Sequence, residues 1–408
     1  MRFTWFIARR IIGQRSYRSS VSGPIITIGI TAIALGVITM FIALGTGVGL
    51  QQKIGQKVAA FSGHMRVTTL ENSQRQETLT PLNDAHSIRT KLLQQPNVSA
   101  VQSVAYVPGV MLNTNAFDGI VFKGIDDSFN SDFFTFFGDT DWVTTLGKQD
   151  IWISSKLAKK LALTVGDRVS LYFSSGQTTM PKRRSCTVTG LFTTGFSDYD
   201  ETYVLGHLDV LRSLYTWNDN HVGAFELFLH DDADLTSQSD ALYDSIDALV
   251  DVQHIEEQFP EIFNWIRLFG TNISLIIIIM IIVGGVNMIT ALLVLILEQT
   301  QLIGITRVLG APVRSLQQLF IIQGSFLIGV GLFWGNIIGL GLLFFQKQTG
   351  FISLDPATYY VSQVPVYMDV TTILWLNGLT LFVCLALLVL PSFIIARIPP
   401  TQALKINS

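Results

Sequence analysis

The chain has 408 residues, 27 Lys and Arg against 30 Asp and Glu, and is 49% hydrophobic but only 14% charged. A net charge of −3 and a sequence pI near 6.1 offer no broad basic surface for a nucleic-acid backbone, and the charged fraction is low for a wholly water-soluble protein. The average conceals a split: charge-free windows of spanning length run over residues 19–52, 268–297, 315–346 and 370–396, whereas residues 53–267 hold 27 acidic and 17 basic residues, a net of −10.

In chain order, the first 23 residues carry Arg2, Arg9, Arg10, Arg15 and Arg18 and no acid. Phe3, Phe6, Ile7 and Ile11 fall on one helical face beside Arg9 and Arg10, the pattern of an amphipathic helix lying in a membrane interface; a plain basic tail is the alternative. No small-x-small cleavage site closes the apolar run that follows, so a first transmembrane span over 24–48 is expected rather than a cleaved signal. That span is rich in Thr27, Gly29, Thr31, Ala32, Ala34, Gly36 and Thr39, which suit close helix–helix approach, and Gly45, Gly47 and Gly49 are expected to loosen its exit.

Residues 49–262 read as an α+β domain of antiparallel character. Strands are expected at 64–70, 98–112, 120–125, 151–154, 168–173, 184–192 and, alternating, 224–230. Helices are expected at 83–95 with Ile88, Leu92 and Leu93 inward, at 155–163 with Leu157, Ala158 and Leu161 inward, and at 237–249. Gly166–Asp167 has turn chemistry, since Gly tolerates positive φ and Asp caps the turn. The loop 195–200 (GFSDYD) reads either as a structural turn or as a substrate or partner contact. The loop 174–183 carries Met180 and Pro181 on the basic base Lys182, Arg183 and Arg184, either an ordinary hairpin turn or a handle for a protein partner.

A second span over 263–297 includes thirty charge-free residues, 268–297, about 45 Å of helix against a hydrocarbon core of about 30 Å. Gly284, Gly285 and Asn287 interrupt its Ile/Leu run and suit close packing at a dimer axis or a local bend. A short amphipathic segment, 298–314, carries Ile303, Ile305, Val308 and Leu309 among polar residues and contains the sequence Leu-Gly-Ala-Pro. A third span (315–345), a short loop (346–369), a fourth span (370–396) broken near Pro391, and a tail (397–408) complete the chain. Arginine and lysine concentrate in the N-terminal segment, the 298–314 loop and the tail. The positive-inside rule therefore places both termini in the cytoplasm and the large domain outside.

No catalytic constellation is present. The chain lacks G-x-x-x-x-G-K-[ST], H-E-x-x-H and G-x-S-x-G, and Cys186 and Cys384, in the large domain and the fourth span, cannot pair. A non-catalytic protein without its own cofactor, metal or nucleic-acid site is expected.

The stretch ALLVLILEQTQLIGITRVLGAPVRSLQQLFIIQG resembles the signature of permeases in the MacB/FtsX-type ABC transporter superfamily, through Glu298, Ile303, Ile305, Leu309, Gly310, Ala311, Gln323 and Gly324. It departs from that signature at Gln299 and Gln301, where charges are usual. IWISSKLAKKLALTVGDRVSLYF and RSCTVTGLFTTGFSDYDETYVLGHLDVLRSLY resemble blocks of the same family's outer domain, and the closing Pro-Pro-Thr-Gln-Ala-Leu its C-terminus. The order of elements is most similar to the lipoprotein-releasing permeases of LolC/LolE type. The resemblance implies a four-helix membrane protein with a MacB-like periplasmic core domain between the first two spans and an FtsX-like permease region over 263–408. It implies ATPase coupling through Glu298, Ile303, Ile305, Arg307, Leu309, Gly310 and Ala311. It further implies an acyl-chain groove at Thr31, Ile38 and Phe41 on the first span and Ile277, Met280, Gly284 and Met288 on the second. A carrier-contact loop would lie at Met180, Pro181, Lys182 and Arg183. The implied partners are a cytoplasmic ATPase subunit of LolD type that binds the ATP and magnesium, a second permease copy or paralogue, a lipoprotein substrate, membrane lipid and a soluble periplasmic carrier of LolA type. A MacB-like exporter half and an FtsX-like regulator of a cell-wall hydrolase are the alternatives.

Overall fold

The structure, a computed structural model, describes residues 22–73, 77, 78, 80–113, 116–130, 132–137, 146–174, 180–230, 234–246 and 250–393. The expected interfacial helix over 1–23 and the tail over 397–408 lie outside these residues, apart from Ser22 and Gly23. The chain divides into two compact units, a membrane bundle (Met1–Gln51, Ile266–Ser353, Gln363–Ser408) and a head (Gln52–Trp265, Leu354–Ser362).

The described residues of the head contain nine strands: β1 Met65–Thr69, β2 Val98–Leu112, β3 Phe117–Ile125, β4 Asp150–Ser154, β5 Arg168–Phe173, β6 Lys182–Phe192, β7 Tyr203–His207, β8 Ala224–Leu229 and β9 Val250–His254. They form one sheet in the order β3-β7-β4-β6-β5-β2-β8-β1-β9, and a further β2–β3 pairing closes the first six into a ring. Strand β2 makes this possible through its length: Val98–Val104 pairs with β8, Gly109–Leu112 with β5, and Val104–Leu112 with β3 on the other edge. The pairings are antiparallel except β3–β7 and β4–β6. One apolar core is built from Met65, Val67, Leu92, Val107, Met111, Phe122, Ile151, Leu171, Phe173, Val188, Phe225 and Leu227.

Most expected head elements are present, with differences that have local causes. Strand β8 does not alternate; every residue is buried, because apolar Phe225, Leu227 and Leu229 face the core while Glu226 on the other face is enclosed as well. In the helix Ala85–Leu93, Leu92 is buried but Leu93 is half exposed. The helix Ser155–Lys160 stops short of 163, and Ala162 adopts φ 50°. Strand β7 and the helix after it, Leu208–Tyr215, fall in a stretch where no element is expected from the sequence.

Among the described residues, four helices are long and apolar enough to cross a membrane. We number them as spans one to four: Ser22–Ser62, Pro260–Glu298, Val313–Thr349 and Val370–Ser392. The first is 41 residues, about 60 Å, and its last turns, from Gln52 on, belong to the head. The glycines at 45, 47 and 49 therefore do not loosen an exit: the helix runs through them. All three are sites of close approach: a Cβ on Gly49 would stand 2.6 Å from the Pro365 carbonyl, one on Gly47 would run into the Ile273 side chain, and the Gly45 carbonyl accepts the Tyr367 N–H at 3.0 Å.

Within the bundle, Gly331, Gly335 and Gly339 recur every fourth residue along span three. A Cβ on them would stand 2.8 Å from Ile33 Cβ, 2.7 Å from Val37 Cβ and 3.0 Å from Phe41 Cδ2 of span one. This small-residue stripe seats three large side chains of a neighbouring helix, as lipid-immersed packing requires. Spans three and four are joined by reciprocal amide bonds, Asn336 Nδ2 to Asn377 Oδ1 (2.7 Å) and Asn377 Nδ2 to Asn336 Oδ1 (2.9 Å). Span two runs unbroken through Gly284 and Gly285; Gly285 accommodates Leu387 of span four, so it packs within its own bundle.

Candidate functional site

The short helix Thr300–Val308 follows span two after a break at Gln299. Its length is set by the Leu-Gly-Ala-Pro sequence. Gly310 takes φ 92°, its N–H donates to the Arg307 carbonyl (3.0 Å), and the Ala311 N–H donates to the Thr306 carbonyl (3.1 Å). These two bonds close the helix in the manner of a Schellman cap, which needs a residue free to adopt positive φ at that position. Pro312, extended at φ −70° and ψ 144°, then starts span three at Val313.

The helix is held on one side only. Ile303 is fully buried in the bundle core together with Leu295, Ile296, Leu316 and Phe320. Leu302, Ile305, Val308 and Leu309 are exposed, Leu309 by 81%, although all are apolar. Glu298 and Gly310 are exposed too, and Arg307 and Ala311 are half-buried. The coupling residues expected from sequence are thus divided: Ile303 anchors, Gly310 and Ala311 shape the cap, and Ile305 and Leu309 form part of an apolar face that none of the described residues covers. Leu302 completes that face, one turn from Ile305 and two from Leu309.

The residues expected to line an acyl groove do not share one surface. Phe41 and Met288 are interior packing residues of the bundle. Phe41 lies against Gly339, and its ring is core for the same reason that Gly339 is small. Thr31 is exposed, its hydroxyl donating to the Ile28 carbonyl (3.0 Å). Gly284 is buried, yet a Cβ there would meet nothing within 4 Å. Ile38, Ile277 and Met280 are half-buried.

Of the expected carrier-contact loop, residues 175–179 lie outside the described residues. Met180 is 81% exposed, with Pro181 and Arg183 exposed beside it. Lys182 is turned away: its ammonium donates to the Leu214 carbonyl and lies 5.9 Å from the Tyr215 ring. Arg183 Nε donates to Ser170 Oγ at 3.2 Å. In the loop 195–200, Asp200 is buried, and its carboxylate accepts the Thr194 N–H (2.9 Å), the Thr194 hydroxyl (2.9 Å) and the Gly195 N–H (3.1 Å). This acid of the loop is committed to holding the turn.

The head also encloses an ionic centre that is not among the residues expected from sequence. Lys123 on β3 and Glu226 on β8 are both fully buried and bonded at 2.9 Å. Glu226 also accepts from Gln102 Nε2 and the Tyr106 hydroxyl, and Lys123 donates to the Phe61 carbonyl in the last turn of span one's helix. A cation on those terminal carbonyls is favourable to the helix dipole. Burial pushes the Lys123 ammonium below its ordinary pKa while Glu226 holds it up. The signal lies in the strand FDGIVFKGI, whose one lysine follows an apolar run.

The profile of the MacB-like periplasmic core domain matches residues 27–249, and that of the FtsX-like permease C-terminal matches 274–400. The chain is 23% identical to the lipoprotein-releasing system transmembrane protein LolC of Xylella fastidiosa, covering 92% of each chain. It is 22% identical to LolC of Neisseria meningitidis, covering 95% of each. Among solved structures it is similar to the periplasmic region of MacB from Actinobacillus actinomycetemcomitans, at 12% identity and a TM-score of 0.34, over 49% of this chain and 92% of that one.

Proposed function

From a chain that belongs to the MacB/FtsX-type family of ABC-transporter permeases, a multi-pass inner-membrane family that works with an ATPase, we propose a subunit that releases lipoproteins from the inner membrane. Likeness to LolC proteins over more than nine-tenths of both chains carries the choice of cargo. The exposed Leu302, Ile305, Val308 and Leu309 carry the mechanism. An apolar helical face anchored through Ile303 suits a groove in a cytoplasmic ATPase of LolD type, and the glutamines at 299 and 301 make that contact less electrostatic. ATP and magnesium would be bound by that subunit, and this chain would hydrolyse nothing. Both termini would be cytoplasmic and the head periplasmic.

Nucleotide-driven closure of paired ATPases would displace spans one and two, whose helices continue without a break into residues of the head. The lipid-facing sides of these spans, with Ile38, Ile277 and Met280 at their margins, would meet a second permease copy or paralogue and admit acyl chains between them. Met180 and Arg183 would meet a soluble carrier of LolA type.

Reconstitution tests this reading. Proteoliposomes holding the permease, its ATPase and a triacylated lipoprotein should pass that lipoprotein to an added soluble carrier in an ATP-dependent manner. A photoreactive residue at Met180 should yield a carrier adduct and one at Ile38 a lipoprotein adduct. ATP hydrolysis with all lipoprotein retained in the bilayer and neither adduct formed would overturn it.

A further inference from the structure

The segment joining spans three and four belongs partly to the head. Leu354–Ser362 is part of that unit, although the chain on either side is part of the bundle. It folds back on itself, the Leu354 N–H donating to the Ser362 carbonyl (3.0 Å), around the short helix Pro356–Tyr359. Tyr360 follows at φ 61°, a left-handed conformation that disfavours a tyrosine, so contacts must hold it there. Its ring stacks on Phe196 at 4.7 Å and 21°, and Trp265 meets it edge-on at 5.7 Å. Its carbonyl accepts from Lys57 Nζ at 2.9 Å, and the same ammonium donates to the Thr194 carbonyl at 2.9 Å. Lys57 stands on the helix that continues span one. Thr194 and Phe196 stand in the turn that the Asp200 carboxylate fixes, with Gly195 between them at φ 81°. Burial pushes the Lys57 ammonium below its ordinary pKa, with Lys53 adding to the effect.

We propose that Leu354–Ser362 is a clasp by which the head holds the connection between spans three and four, with Lys57 and Tyr360 as its two fastening residues, and that it must stay closed for ATP-driven work to reach the cargo. The clasp gives the head a third attachment, beside the two helices that run into it from spans one and two. Its role in release rests on the function proposed above; its closure does not, and is measured separately.

The test uses the full permease with its ATPase. Lys57→Met and Tyr360→Leu should raise amide hydrogen exchange across residues 354–362 at least tenfold. They should lower lipoprotein release at least fivefold while ATP hydrolysis continues at the wild-type rate. Lys57→Arg and Tyr360→Phe, which keep a cationic donor and a stacking ring, should behave as wild type on both counts. Unchanged exchange in Lys57→Met and Tyr360→Leu would overturn the fastening roles. Raised exchange with release at the wild-type rate would overturn the need for closure. Should either variant lose hydrolysis and release together, Phe196→Leu, which removes the ring that stacks on Tyr360 and leaves the Lys57 bonds in place, carries the same readouts. A wild-type complex that hydrolyses ATP and releases nothing refutes the cargo assignment and leaves the exchange result standing.

Discussion

In the head, Glu226 sits on an interior strand of the sheet, paired with Lys123 and further bonded by Gln102 and Tyr106, with the Phe61 ring 4.9 Å from the Lys123 ammonium. In the bundle, the interior is made by subtraction: Gly331, Gly335 and Gly339 remove side chains so that Ile33, Val37 and Phe41 can seat, and the Gln323 amide is buried without a hydrogen-bond partner among the described residues. The solvent explains the contrast. Water drives large apolar side chains together, so the head can enclose an ionic cluster beside an apolar core that supplies the free energy. Lipid gives no such drive, and span association depends on the contact area that close approach allows. Sensitivity should accordingly differ in kind: the head should fail when a charge loses its partner, the bundle when a small residue gains atoms.

The largest expected effect is in the head. Lys123→Met removes the cationic partner of the buried Glu226, a loss of about 3–5 kcal/mol, read as a fall in the thermal midpoint of the purified full chain. The double variant Lys123→Met/Glu226→Leu should recover part of that loss, and a double variant worse than either single one would break the comparison. Next is the bundle: Gly335→Leu should cost about 1–3 kcal/mol through overpacking against Val37. Gly329→Leu on the same helix, where a Cβ would meet nothing within 4 Å, should change the midpoint little. Equal losses at 329 and 335 would show that the stripe is not a packing seam.

Much of this architecture was legible in the sequence. Charge-free windows and the distribution of acids separated head from bundle, and β2 and β5 appear with the bounds that alternation and turn residues suggested. Positions that depend on a distant partner were not legible. Phe41 and Met288 look like groove residues because they are large, apolar and on the first two spans. Only the glycines far along the chain on span three, and the packing of span two, make them core. The four-residue spacing of Gly331, Gly335 and Gly339 does not say which helix it faces. Gly45, Gly47 and Gly49 suggested flexibility, because an isolated sequence shows a glycine's freedom and not the atoms pressed against it. The clasp was unreadable for the same reason: residues 354–362 carry no periodicity, and their place comes from Phe196, Lys57 and Trp265.

Smaller effects sharpen the contrast at single sites. Gly310→Ala places a Cβ at φ 92° in the cap of the short helix, a cost of about 1–2 kcal/mol. That cost should fray the last turn and reduce co-purification of the ATPase a few-fold, with the thermal midpoint of the head unmoved. Cys186, buried on β6, has its thiol pushed up to about 11 by burial. In the folded head it stays protonated at pH 8–9, and iodoacetamide should label it slowly there and quickly in denaturant. Because the folded thiol holds its proton above the pH at which the unfolded one gives it up, this group lowers the head's stability as pH rises toward 11. Rapid labelling of native protein at pH 8 would contradict the enclosed core drawn for that strand.

The most direct test concerns the exposed face of Thr300–Val308 and its cap. A photoreactive amino acid is placed at Leu309, which is 81% exposed, and in a second variant at Ile303, which is fully buried. Irradiation of membranes should join the first to a nucleotide-hydrolysing subunit and leave the second joined only within its own chain. An ATPase adduct at neither position, or equal adducts at both, would contradict the view that this helix is anchored through Ile303 and driven through its opposite face.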